Sequence, residues 1–285
     1  MTTTTSAYLT VVQNLPRMQA MTADQPTVKT ASAYYAANIG KVTSIDQFVE
    51  NYRLLSYALD AYGLGDQINS TALIKQVLEG GVTNPKALAN TLPQWKAFAT
   101  AFNFTGAGAS SISTSTAIKD TQSEYVEQTL ENNEGQQDVG VQLAMYFNRV
   151  APSVTSSYGI LADQNLLEVV ETIFGLPTAF SSENIDVQAK AVSKLLPISD
   201  LKNPAKLKEL TERFTAAYDM TYGNSSNSSS TLSVSGSSSS SSASPSAAVT
   251  ILSGIINGNS TSSSGSSSLF SNALLQSLQG FSLGG

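Results

Sequence analysis

Catalysis by this chain would have to run on carboxylates, lysines, tyrosines or an activated serine, because it holds no histidine and no cysteine. That removes zinc fingers, thiol nucleophiles, histidine-based triads and disulfides together. The remaining candidates are thin. Glu168 and Glu171 are three apart and share a helical turn, but such a spacing is that of solvated helix charges as readily as of an acid/base pair. Asp163-Gln164-Asn165 resembles the start of a calcium loop, yet the glycine and terminal glutamate of that motif are out of register, and Asp163 reads better as a helix N-cap. Gly63-Leu64-Gly65 lacks a third glycine and follows a helix, so it is no dinucleotide fingerprint. Walker and Gly-x-Ser-x-Gly motifs are absent from the sequence. Four arginines occur. Arg53, Arg149 and Arg213 lie inside helices and read as forks that tie a helix to a neighbouring carboxylate or helix C-terminus. Trp95, among Phe98 and Phe102, reads as core. No catalytic, cofactor-binding or metal-ligating residue is assigned, and a non-enzymatic role is expected.

Composition agrees. The net charge is −6 and only 13% of residues are charged, low against ~25% in ordinary domains. No basic run is present to neutralise phosphates, which argues against nucleic acid and against an anionic membrane surface. No apolar stretch approaches the ~20 residues of a membrane span, and Met1 to Leu15 lacks the features of a cleaved signal peptide. A soluble protein is expected, and no small-molecule ligand is predicted.

The elements that would position these residues are helices, since period-two alternation is never sustained. Residues 1–24 are Thr-rich and interrupted by Pro16, and are expected to be a flexible N-terminus. Residues 25–222 are expected to be an all-α, compact multi-helix domain. Pro26 opens a helix that stops near Gly40. Ser44-Ile45-Asp46-Gln47 reads as a capping box, followed by Phe48, Tyr52, Leu55 and Leu59 on one face. A helix from about Asp66 to Glu79 ends on Gly80-Gly81. Asn84-Pro85 reads as the cap of the next, with a break at Pro93. A long helix from about Ser115 to Val150 is expected to kink near Gly135. Further helices run from about Asp163 to Phe174, Glu183 to Leu196 and Pro204 to Tyr218.

A weak internal repeat, about 44–104 and 158–219, suggests two related helical units. Leu55 to Leu64 answers to Leu167 to Leu176, both ending on glycine and leucine. Asn84-Pro85 answers to Asn203-Pro204, and Phe98–Phe102 to Phe214–Tyr218. Capped helices that reuse one punctuation would explain the same matches. Residues 223–268 are a Ser-rich stretch, expected to be a disordered linker. Residues 269–285 form a short amphipathic C-terminal segment, in which Phe270, Leu274, Leu278 and Phe281 fall at helical spacing and are candidate partner-docking residues. A passive, sticky terminus is the plainer alternative.

Several of these runs are familiar together: Asn51-Tyr52-Arg53-Leu54-Leu55, Ala61-Tyr62-Gly63-Leu64, Lys75 to Gly81, Asn84 to Asn90, Tyr146 to Ala151, Tyr158 to Asp163 and Asn203 to Leu207. They resemble an alphaproteobacterial domain-of-unknown-function family, number twelve-seventeen, over roughly Val28 to Tyr222. These motifs are structural punctuation and carry over no catalytic residue. Members of the family are often encoded among flagellar genes. The resemblance therefore implies a structural or assembly protein of the bacterial flagellum, exported without a cleaved signal peptide and partnered by other flagellar proteins or by copies of itself. The alternative is a cytoplasmic assembly or regulatory factor that binds an export substrate.

Overall fold

A computed structural model describes residues 3–222 except 91 and 107. The Ser-rich stretch and the candidate docking residues Phe270, Leu274, Leu278 and Phe281 lie outside the described residues. The chain divides into a unit of Met1–Ser233 and one of Val234–Gly285, and everything below concerns the first.

Fourteen α-helices and no strand occur among the described residues. They are α1 (Thr4–Gln13), α2 (Leu15–Ala23), α3 (Pro26–Asn38), α4 (Ile45–Glu50), α5 (Tyr52–Ala61), α6 (Thr71–Gly80), α7 (Pro93–Ala101), α8 (Ser115–Gly135), α9 (Val139–Val150), α10 (Ser157–Leu161), α11 (Gln164–Phe174), α12 (Ile185–Leu195), α13 (Ile198–Leu201) and α14 (Pro204–Tyr222). The starts are written in the sequence. The side chains of Thr3, Ser44, Asn51, Thr114, Asp138, Ser156, Asp163 and Asn184 each accept an N–H of the turn they precede. Each relieves one of the donors that a first turn leaves unpaired. Proline stands in the first turn of α2, α3 and α7, where a missing N–H costs nothing.

The helices surround two cores. One, in residues 35–112, is rich in aromatic rings: Phe48 stacks on Phe102 at 4.9 Å, and Trp95 meets Phe98 edge to face. The other joins Tyr8 and Val11 to residues 130–214 and is more aliphatic, with Val169, Val170 and Val192 fully buried. Helix α8 bridges the lobes, packing on α5 in one and on α9 in the other.

The lobes share a plan. In each, a helix (α3 or α9) ends in a 3-10 turn, then a valine, a serine-capped short helix (α4 or α10), and a helix capped by Asn51 or Asp163 (α5 or α11). Each then stops on a glycine of positive φ, Gly63 at +69° and Gly175 at +58°. The stops match bond for bond. Leu64 N–H donates to Leu59 C=O and Gly63 N–H to Asp60 C=O, as Leu176 does to Glu171 and Gly175 to Thr172. This paired closure satisfies two end carbonyls and needs a left-handed residue. Tyr34/Tyr146, Val42/Val154, Ser44/Ser156 and Leu54/Leu166 recur at the spacing that separates Gly63 from Gly175. The repeat therefore starts earlier than position 44, at α3 and α9.

Four expectations are corrected. Residues 4–23 are not a loose terminus but two helices, because Thr3 caps α1 and Asp219 of α14 accepts the N–H groups of Thr4 (2.7 Å) and Thr5 (3.1 Å). Tyr8 and Val11 are buried, each contributing about 1.5–3 kcal/mol of apolar transfer. Asn84-Pro85 opens no helix. The Asn84 side chain accepts from Lys86 N–H in a turn that the Asn90 amide staples, and Pro93 starts α7 instead. Pro93, not Pro85, is thus the counterpart of Pro204. Tyr52 does not share the buried face of Phe48, Leu55 and Leu59. Asn51 breaks the helix between them, shifting the phase and leaving Tyr52 68% exposed. Finally, Gly135 ends α8 rather than kinking it, and Asp138 caps a separate α9 by accepting from Gly140 and Val141.

Candidate functional site

Phase shift at Asn51 turns the outer side of α5 toward a hollow of about 150 Å³ lined by Ala31, Tyr52, Arg53, Ser56, Tyr57, Asp60 and Tyr125. Its back wall is a stack of rings, with Tyr57 4.6 Å from Tyr35 and 4.0 Å from Tyr125 of α8. The Tyr57 hydroxyl is 2.9 Å from Ser32 Oγ, which fixes the ring from the α3 side. On the rim the Arg53 guanidinium lies over the Tyr34 ring at 3.7 Å. Asp60 sits at the floor, accepting a 3.3 Å hydrogen bond from Ser56 Oγ. Burial holds its carboxyl above the usual carboxylate range; the Ser56 bond opposes this and the charge of Asp66 adds to it.

One buried polar cluster ties the lobes together and a second ties α9 to the bridging helix α8. Asp163 caps α11 with one oxygen, accepting Leu166 N–H at 3.0 Å. Its other oxygen accepts the Tyr146 hydroxyl at 2.5 Å and the Gln94 amide at 2.6 Å. Gln94 stands on α7 of the other lobe and also reaches the Tyr146 hydroxyl. The N-cap reading of Asp163 is correct, and the bond to α7 is what sequence could not show. In the second cluster Arg149 of α9 grips Glu131 of α8 with two parallel bonds, 2.7 and 2.9 Å, and donates to Gln128 at 2.7 Å. Burial works against the Arg149 charge, but the Glu131 bond and charge outweigh it and hold the guanidinium above its ordinary value.

Of the three internal arginines, only Arg149 pairs with a carboxylate as expected. Arg53 and Arg213 stack instead on Tyr34 and on Phe174 (5.2 Å). Glu168 and Glu171 are half-buried rather than freely solvated. Burial, then the neighbouring Glu171 charge, raises Glu168, while Glu171 accepts the Ser181 hydroxyl at 2.7 Å. Trp95 is buried at 6% exposure. Among the described residues no helix is long and apolar enough to cross a membrane.

The outer side of α10 and α12 carries Tyr158, Ile185 and Val187, each at least half exposed. The Tyr158 hydroxyl donates to Asp186 at 2.7 Å and so braces α10 on α12. In the other lobe the matching brace is ionic, with Lys75 of α6 donating to Asp46 of α4 at 2.6 Å.

These features define an all-α domain of two short-helix lobes that share a plan, bridged by a long helix and sealed by buried polar ties. The chain belongs to the family described as a protein of unknown function, DUF1217, whose model matches residues 61–207. It is similar to a crystal structure of a protein from Agrobacterium tumefaciens, with 36% identity and a TM-score of 0.70, covering 76% of this chain and 93% of that one. No curated protein matches.

Proposed function

We propose that this chain is a non-enzymatic structural or assembly protein that acts through protein–protein contacts, in the setting of the bacterial flagellum. The observation that carries this reading is the use made of the buried polar groups. Asp163, Tyr146, Gln94, Arg149 and Glu131 are spent on bonds between helices and between lobes, the pattern of a rigid scaffold. The surface, by contrast, presents large apolar side chains that stay at least half exposed, such as Tyr158, Ile185 and Val187. The flagellar setting comes from the family resemblance.

The test is fractionation. An antibody to the chain should find it in sheared filaments or basal bodies of the source bacterium. Recovery from cytosol alone, bound to an export substrate, would favour the assembly-factor alternative. Recovery with neither would end the flagellar reading. A variant with Phe270, Leu274, Leu278 and Phe281 all changed to Ser separates the tail from the domain. Lost association with helicity retained assigns docking to the tail, and unchanged association assigns it to the domain surface.

A further inference from the structure

We propose that the hollow on α5 is a receptor for a lysine side chain presented by a partner protein, with Asp60 as the counter-charge and Tyr52 and Tyr125 as its aromatic walls. The inference rests on the reading of the chain as a contact protein and names the chemistry of one contact.

Size comes first. At about 150 Å³ the hollow is well below the ~300 Å³ at which drug-sized ligand pockets begin, so it suits the end of one side chain rather than a metabolite. Charge comes second. Among the described residues, no lysine or arginine nitrogen lies within ion-pair reach of Asp60, which accepts a hydrogen bond from the neutral Ser56. Asp66 adds a second negative charge to its surroundings. A half-buried carboxylate without a counter-charge is a costly feature that a bound ammonium would relieve. Ring chemistry comes third. Tyr57 is committed to its stack with Tyr35 and Tyr125, but Tyr52 is 68% exposed and Tyr125 half-buried. The faces of tyrosine rings attract cations.

Arg53 on the rim is the feature that could reverse the sign. Its guanidinium is drawn over Tyr34, on the α3 side, and its side chain is exposed, so water screens it. Asp60 is half-buried and so is screened less than the exposed Arg53. The chain's own tail cannot supply the occupant, because residues 223–285 contain no lysine or arginine. The lysine must come from another molecule.

The experiment is a chemical-shift titration of the full chain with n-butylammonium, sodium butyrate and ethylguanidinium at constant ionic strength. Butylammonium should bind saturably, with a dissociation constant on the order of millimolar, shifting the amides of α5 and those around Tyr125. Asp60→Asn should weaken it roughly five- to tenfold and Tyr52→Ala severalfold, with neither variant melting below the parent. Absence of saturable shifts with the wild type, affinity unchanged in Asp60→Asn, tighter binding of butyrate or tighter binding of ethylguanidinium would each overturn the proposal. Because the probes are small ions, this outcome does not depend on whether the chain is found in flagellar fractions.

Discussion

Removing Arg149 from its partner tests the idea that buried charge clasps α9 to the bridging helix α8. The Glu131 side chain is 1% exposed and that of Arg149 14%, so water reaches the cation slightly and the anion hardly at all. Breaking a buried pair by deleting one member costs ~3–5 kcal/mol, mostly from the charge left behind. Arg149→Met strands the deeper member, Glu131, and also strips Gln128 of its donor. Its expected cost is therefore about 3–4 kcal/mol. Arg149→Lys keeps the charge but not the two-pronged grip, and should cost about 1–2 kcal/mol. The double variant Arg149→Met/Glu131→Leu removes both charges, and should recover to within about 1 kcal/mol of the parent. The assay is urea unfolding followed by circular dichroism, read as a double-mutant cycle with a coupling energy of at least about 2 kcal/mol. A cost under about 1 kcal/mol for Arg149→Met, or a double variant no better than the single, would refute the clasp.

Gly175→Ala should cost about 1–2 kcal/mol from its left-handed backbone alone, since nothing lies within 4 Å of the new methyl. Gly63→Ala should cost as much or more, its methyl meeting the Gln128 side chain at 3.1 Å; neutral melts for both would remove the paired stops. Gly140→Ala would drive a methyl to 2.5 Å from the Tyr218 ring and 2.6 Å from Thr4, so α1 and α14 must lift from α9. We expect a loss of about 1–3 kcal/mol and faster amide exchange in α1, and an unchanged exchange pattern would refute that packing. Stability should also depend on pH with an unusual sign. Burial raises the carboxyls of Asp60, Glu124, Glu127, Glu134 and Glu168, so the folded chain holds protons that the unfolded chain has released. Their penalty builds as pH rises from the ordinary carboxylate range through the raised folded values and is relieved as pH falls, so the melting temperature should climb as pH is lowered from neutral towards that range, about pH 4–5. Asp219 acts oppositely. Burial would raise it, but the Thr4 and Thr5 donors lower it, and its contribution disappears only as pH falls through that lowered value. Thermal melts should therefore decline below about pH 4, and a steady fall from pH 7 to 5 would contradict the burial of these carboxyls.

Much of the helical plan was legible because helix ends are local events. Pro26, Ser44, Asp163 and Pro204 mark real starts, and Gly63 and Gly175 real stops. The misreadings share one cause, which is that the deciding partner is far along the chain. Residues 4–23 look loose until Asp219, more than two hundred positions away, takes up their N–H groups. Asn84-Pro85 and Leu92-Pro93 offer two prolines in a row of candidate starts, and the bonds from the Asn90 amide to Val82 and Asn84 settle which is used. Tyr52 was assigned to the wrong face because a period of 3.6 was carried through Asn51, where the helix restarts. The hollow on α5 was not found at all. Its wall, Tyr125, comes from α8, and no local pattern announces a contact between helices so far apart in the chain.

The setting of the hollow on α5 follows from how each lobe is closed. In the second lobe the proline-started helix is α14, nineteen residues long, and its far end carries Tyr218 and Tyr222. Those turns pack on α9 and α11, with α1 laid beside them. In the first lobe the matching helix, α7, has nine residues and stops at Ala101, so it cannot reach that far. Helix α8 takes its place on α5, bringing a single ring, Tyr125, to the face of Tyr57. The residues have diverged to suit. At the spacing of the repeat, Ala31 becomes Leu143, Tyr57 becomes the fully buried Val169, and Asp60 becomes Thr172. The second lobe thus carries a leucine, a valine and a threonine where the first keeps a small side chain, a ring and a charge around a void. A void bordered by an unpaired carboxylate adds nothing to packing, since it forgoes dispersion contacts and leaves charge poorly solvated. The void is therefore better explained by a contact it makes than by the packing it forgoes.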